Sequence, residues 1–290
     1  MLPRVFEYFR PKTLEEALQL LSKYKGEAKV LAGGQSLIPI MKLRLASPKY
    51  LIDINGLQNL SYPRTIDGHL ALGCLVRHKE LESFEAGNTG LHVLRDAASL
   101  IGDPQVRNMG TFGGSLAHAD PSADWPAVAL ALRAEIKVKS VSGERKIKAE
   151  DFFTGPFSTS MNEDELITEI SIPLVKGRAA SSYQKLERKA GDFALVGAAA
   201  FLMLDENSVC TKAGIGLTSV ADKPVIAKKA EELLVGRKID ERSVEDACQT
   251  IREAINPPSD VRGSSEYRKE MAVVLAKRAI LTSLRRISGG

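Results

Sequence analysis

Two glycine pairs constrain this chain more than any other feature: Ala32-Gly33-Gly34-Gln35-Ser36 and Thr111-Phe112-Gly113-Gly114-Ser115. Each run ends in a hydroxyl residue. Neither is followed by a P-loop lysine, and neither has the GxGxxG spacing of a dinucleotide fingerprint. Glycine lets a backbone approach a ligand closely and reaches φ > 0 without strain, and successive N–H groups in such turns form an anion-binding nest. A lone Gly-Gly is usually no more than a tight turn. Two such runs, each ahead of a predicted helix whose N-terminus favours negative charge, point to a diphosphate wrapped by backbone alone, with no lysine and no Mg²⁺.

Composition narrows the alternatives. A chain of 290 residues, 44% hydrophobic and 26% charged, is long and apolar enough to bury the cores of two domains. The net charge of +4 is spread out, and the basic pairs Lys228-Lys229 and Arg285-Arg286 fall in predicted helices as solvated faces. No basic stripe argues for a nucleic-acid partner. Met1-Leu2-Pro3-Arg4 has no apolar signal region and no run is long enough to span a membrane, so a cytoplasmic protein is expected. Cys74, Cys210 and Cys248 have no CxxC spacing, and His69, His78, His92 and His118 have no HxxxH spacing. These residues read as buried thiols and isolated imidazoles, with neither an iron–sulfur cluster nor a metal site on this chain.

Periodicity and punctuation place the elements. Thr13 ahead of Glu15-Glu16, with Leu14, Ala17, Leu18 and Leu21, predicts a capped amphipathic helix ending near Gly26. Ala28–Leu31 predicts a strand entering the first glycine pair, and Ser36 is expected to cap a short helix over Leu37–Leu43. Strands follow over Tyr50–Ile54, around Ile66 and over Leu70–Gly73, and helices over Arg77–Phe84 and Leu91–Leu100. Residues 101–120 lack periodicity, which in a stretch of that length marks a functional loop. Asp120 as N-cap and Pro121 at the first helical position then predict a helix with Asp124 in its first turn, where an acid suits the helix dipole, continuing through Trp125–Arg133. Strands are expected over Glu135–Val141, Arg145–Lys148 and Leu166–Ile172, with a boundary at Pro173–Gly177. Three strands (Ser181–Leu186, Val196–Leu204, Cys210–Leu217) then precede helices over Lys223–Val235, Glu241–Ala254 and Ser264–Arg286, an α+β order.

The flanking residues carry a resemblance. Lys29-Val30-Leu31-Ala32-Gly33-Gly34-Gln35-Ser36-Leu37-Ile38-Pro39, with Lys42-Leu43-Arg44 after it, resembles the first flavin loop of the FAD-binding medium subunits of molybdenum hydroxylases. That family includes carbon monoxide dehydrogenase, aldehyde (glyceraldehyde) oxidoreductase and xanthine dehydrogenase. Ile101 to Asp124, with Pro104-Gln105-Val106-Arg107-Asn108, Gly113-Gly114 and His118-Ala119-Asp120-Pro121, is similar to the second flavin loop. Ser259-Asp260-Val261-Arg262-Gly263-Ser264 with Tyr267-Arg268 resembles the family's C-terminal domain, so the likeness spans nearly the whole chain.

The resemblance implies a vanillyl-alcohol-oxidase-type FAD-binding domain over 1–176, made of two α/β subdomains (about 1–57 and 58–176). A C-terminal α+β domain of the carbon monoxide dehydrogenase flavoprotein type, with a three-stranded antiparallel sheet and helices, would cover 177–290. It implies non-covalent FAD, with the diphosphate between Ala32–Ser36 and Thr111–Ser115. By the same match Lys29, Val30, Leu31, Leu37, Ile101, Gly110 and Ala119 are cofactor-contact positions, and Asp124 would bond the ribitol or ribose. Ile167 would lie near the flavin ring. Lys185 would approach the isoalloxazine; the other reading of that residue is a solvent-facing strand lysine. Ser115 stands where many relatives have Asn, and Gln35 where some have His. His118 is not assigned a covalent flavin link, because the resemblance is to the non-covalent branch.

In such complexes a small subunit carries two [2Fe-2S] clusters and a large subunit carries a molybdopterin cofactor. The resemblance thus implies an electron-transfer subunit, in a dimer of heterotrimers, that takes electrons from a partner's cluster and passes them through FAD to an external acceptor. No protein acid or base is required for that task, and none is nominated. The substrate of the complex would be a glyceraldehyde-like aldehyde or carbon monoxide. Two other readings stay open: a free-standing flavin oxidase or dehydrogenase, and a flavin-free scaffold subunit.

Overall fold

β-α-β alternation at the N-terminus builds a three-stranded parallel sheet in the computed structural model, which describes residues 2–289. The strand Tyr50–Asp53 lies between Glu7–Phe9 and Ala28–Leu31, pairing parallel with both. Parallel neighbours need crossovers, supplied by the helices Leu14–Lys23 and Leu37–Lys42. Thr13 caps the first helix by accepting from the Glu16 N–H, and Ala17, Leu18 and Leu21 form its buried face, as their spacing predicts. The helix stops at Lys23, short of Gly26. The strand Glu7–Phe9 has no sequence signal: it is three residues long and mostly exposed.

A second sheet has five antiparallel strands in the order Pro63–Ile66, His69–Gly73, Leu166–Pro173, Glu135–Ser140, Gly143–Lys148. A third has Arg178–Leu186, Val196–Leu204 and Cys210–Thr218 in antiparallel order. These are the three long strands expected of the C-terminal region. The two-residue strand Val225–Ile226 adds to their edge and takes the place of the predicted helix start at Lys223, so the helix begins at Lys228. A break at Thr250 likewise divides the next predicted helix into Glu241–Gln249 and Ile251–Ala254.

Two apolar cores meet at the third sheet. Along Val196–Leu204, Ala199 and Phe201 join the N-terminal core, whereas Ala198, Ala200 and Leu202 join the core under the helix Ser265–Ser288. A strand buried on both faces reads as a continuous apolar run, as this one does. The helix Asp124–Ala131 is buried on every side and lies against the same sheet. Gly214 and Gly216 make that approach possible: a Cβ at either would strike the carbonyl of Ala131 or Ala127.

Two local expectations are corrected. Residues 101–120 are not a loop: they hold the helices Pro104–Met109 and Phe112–His118, too short to show a period. Asp120 is not an N-cap and Pro121 is not helical. Asp120 instead closes a turn, accepting from the Ser122 N–H at 2.8 Å, and the helix starts at Asp124 behind Ala123.

Candidate cofactor site

The two glycine runs, distant in sequence, touch. A Cβ added at Gly33 would strike the Met109 carbonyl oxygen and lie 2.6 Å from the Gly110 Cα. One added at Gly114 would lie 3.7 Å from the Ala32 Cβ. Gly33 is therefore required for one run to lie on the other, and Gly34, at φ +72°, turns the chain where other residues rarely go.

The runs differ in what they offer. Lys29, Val30 and Leu31 lie in the strand that delivers the first run, and Leu37 opens the helix that leaves it. The N–H groups of Gly33, Gly34, Gln35, Ser36 and Leu37 donate to no protein acceptor among the described residues. Ser36 makes no side-chain cap, contrary to expectation, because its backbone is already helical (φ −109°, ψ −49°) rather than extended. Gln35 folds back, its Nε2 donating to the Gly33 carbonyl at 3.2 Å.

In the second run Thr111 is the N-cap and Phe112, Gly113, Gly114 and Ser115 form the helix's first turn. Its amides are engaged: Phe112 N donates to Val76 O, Gly113 N to Cys74 O, Gly114 N to Thr111 Oγ1 and Ser115 N to Thr111 O. Gly113 exists for close packing, since a Cβ there would fall 2.6 Å from the Cys74 Cβ. Burial pushes the Cys74 thiol up to about 12, so it is a packing surface.

The remaining predicted positions form two groups. Asp124, Lys185 and Ile101 cluster at the junction of the two cores. Tyr183 Oη donates to Asp124 Oδ1 at 2.6 Å, and Lys185 Nζ donates to Asp124 Oδ2 at 3.2 Å and to the carbonyl of Leu100, next to Ile101, at 2.9 Å. Lys185 is also 3.3 Å from Glu187. Its side chain is 1% exposed, which removes the solvent-facing reading. Burial raises the Asp124 carboxyl, against the opposing pull of Lys185 and Tyr183. Ile167 and Ala119 are hydrogen-bonded elsewhere. Ile167 is buried in the second sheet at a bulge, one residue from Thr168, whose carbonyl accepts from Cys74 N behind Gly113. Ala119 ends the second-run helix in the left-handed region (φ 50°), its carbonyl accepting from Phe157 N at 2.9 Å.

Sequence reasoning passes over the residues behind the seam. Asn55 Nδ2 donates to the Ala32 carbonyl at 2.6 Å, and Asn55 Oδ1 accepts from Arg77 Nη2 at 2.8 Å. Arg77 Nη1 donates to the Met109 carbonyl. His78, buried, accepts from the Trp125 indole N–H at Nδ1 (3.0 Å), which fixes its proton on Nε2 when neutral. Burial, reinforced by Arg77 and Arg107, lowers His78 to about 4. The signal for Asn55 and Arg77 is faint, being an Asn-Gly turn and an arginine at a helix start.

A run of unpartnered amides, set by glycines against a second glycine-rich turn, defines an anion cradle that suits a dinucleotide. Comparison with known proteins gives the chain's family. Residues 4–175 match the FAD binding domain in molybdopterin dehydrogenase, and residues 181–283 match the CO dehydrogenase flavoprotein C-terminal domain. The chain is 42% identical over 279 residues to the glyceraldehyde dehydrogenase medium chain of Sulfolobus acidocaldarius, covering 96% of this chain and 98% of that one. It is 38% identical over 280 residues to the carbon monoxide dehydrogenase medium chain of Afipia carboxidovorans, covering 97% of each. The fold matches a chain of reconstituted CO dehydrogenase from Oligotropha carboxidovorans with a TM-score of 0.95 and 37% identity, over 99% of this chain and 100% of that one. The chain belongs to the family of FAD-binding domains of molybdopterin dehydrogenases. It is an oxidoreductase subunit of the FAD-binding medium-chain type.

Proposed function

We propose that this chain holds one FAD non-covalently, with its diphosphate on the free N–H groups of Gly33–Leu37, and relays electrons from a partner's [2Fe-2S] cluster to an external acceptor. The unpartnered amides of the first run carry the reading. Bound FAD supplies the redox chemistry; the chain supplies placement and electrostatics. The half-buried flank of the second run at Gly114, with the Ser115 hydroxyl, closes the other side of the diphosphate. Residues 1–176, in subdomains about 1–57 and 58–176, form the FAD-binding unit, and 177–290 the unit packed beside it. Asp124 orients the sugar end while Lys185 balances its charge and approaches the isoalloxazine, Ile167 lies near the ring, and Ile101 and Ala119 supply further cofactor contacts.

The complex is a dimer of heterotrimers, cytoplasmic, with molybdopterin on the large chain. Its substrate is an aldehyde of the glyceraldehyde kind, by the name of the 42% identical medium chain. Carbon monoxide is the second reading, from the 38% identical one. The purified chain is expected to carry near-stoichiometric flavin that acid releases completely. A colourless chain that takes up no added FAD overturns the proposal. Co-purification from the native cell with an iron chain and a molybdenum chain, followed by assay with both substrates, tests the rest.

A further inference from the structure

The diphosphate cradle works only if its amides point into the seam, and peptide geometry states what must aim them. In a trans peptide the carbonyl of one residue and the N–H of the next point in opposite directions. The Ala32 carbonyl accepts from Asn55 Nδ2 at 2.6 Å, so that bond turns the Gly33 N–H the other way. Asn55 is itself held on three sides. Its backbone N–H (2.9 Å) and its Nδ2 (2.6 Å) donate to Asp53 Oδ1, and its Oδ1 accepts from Arg77 at 2.8 Å. Tyr8, on the edge strand, donates to the other oxygen of Asp53 at 2.5 Å. Arg77's second nitrogen bonds the Met109 carbonyl, the atom that Gly33 packs against.

We propose that Asn55 and Arg77 are positioning residues that clamp the two glycine runs and aim the first amide of the FAD diphosphate cradle, without touching the cofactor. An amide is required at position 55, because that side chain donates to a carbonyl and accepts from a guanidinium at once. Swapping its oxygen and nitrogen would set the oxygen against the Ala32 carbonyl. An arginine is required at position 77, because its planar fork spans two acceptors where lysine presents a point charge. Asp53, buried, orients the amide and faces Arg77 as its counter-charge.

This inference rests on the FAD reading, and the test separates the two. FAD affinity of the full chain is measured by titrating flavin-stripped protein for wild type, Asn55→Asp, Arg77→Met and the double variant. Asn55→Asp keeps the acceptor for Arg77 and loses the donor to Ala32. Each single variant is expected to weaken FAD binding roughly 10- to 100-fold, the range for groups that orient a first contact. The double variant is expected to be no weaker than the worse single, because both act through one clamp. At saturating FAD the visible circular dichroism of the bound flavin shifts in both singles, a readout that general destabilisation would leave unchanged. Arg77→Lys substitutes for Arg77→Met if the latter does not fold. Wild-type affinity in the singles, or additive losses in the double, overturns the clamp while the FAD reading stands. A wild-type chain that binds no FAD overturns both.

Discussion

Lys185 donates to Asp124 at 3.2 Å across the junction of the two cores, and both side chains are shielded from solvent. A lysine on a strand would by habit face water; here the third sheet turns it inward, onto the first residue of the buried helix Asp124–Ala131. Tyr183 and the Leu100 carbonyl complete the arrangement, so the pair is bonded on both sides.

Removing one partner of such a pair strands the other. Lys185→Met is expected to cost about 3–5 kcal/mol of folding stability. Adding Asp124→Asn should recover much of that loss, since neighbours in one network are not additive. Urea unfolding of the two singles and the double checks this; equal and additive losses would contradict it.

Gly33 and Gly114 should respond differently to alanine. At Gly33 a Cβ meets the backbone of Met109 and Gly110, just ahead of the second run, so the two segments must separate. Gly33→Ala is expected to destabilise by about 1–3 kcal/mol through overpacking and to abolish flavin retention. At Gly114 the Cβ meets the Thr111 hydroxyl at 2.6 Å, a side chain that can rotate away. Gly114→Ala should cost about 1 kcal/mol, the worth of a lost N-cap, and keep most of its flavin. The flavin-to-protein absorbance ratio of the purified variants distinguishes the two sites.

His78 imposes a pH dependence. Its folded pKa lies near 4, against the ordinary 6.5, because burial disfavours the cation. The unfolded chain therefore takes up the proton first. Stability contributed by neutral His78 is present above about 6.5 and falls as the pH drops, by about 3 kcal/mol once the pH is below about 4. In His78→Gln, which does not titrate, that part of the slope should vanish. Denaturation midpoints measured across this window for both proteins give the comparison, and parallel curves would rule the assignment out.

Arg268 tests whether the C-terminal signature serves the fold or the cofactor. It is 1% exposed and donates to the Leu195 carbonyl (2.7 Å), Ser219 (3.2 Å) and Asp260 (2.8 Å). Arg268→Met leaves the Leu195 carbonyl without its donor, at about 1–3 kcal/mol, while Ser219 keeps its bond to the Ser122 hydroxyl. Flavin content per folded molecule should not change. A stable variant with reduced flavin would move Arg268 into the binding machinery.

The glycine runs, the order of strands and helices and the α+β succession of the C-terminal half are legible in the residues themselves, because caps, turns and apolar periods are local. Ala28–Leu31 and Val196–Leu204 have the ends their patterns predict. The helices Pro104–Met109 and Phe112–His118 were hidden, being too brief for a period to show. The pairing of the runs belongs to tertiary structure, as does the amide that sets it: Asn55 reaches Ala32 from 23 residues away, and Arg77 reaches Met109 from 32. So does the fate of Lys185, whose partner Asp124 is 61 residues distant. A sequence by itself records which backbone is able to bend around an anion. Which amides remain free to hold it depends on hydrogen bonds between distant segments, and these form only when the sheets and helices have packed.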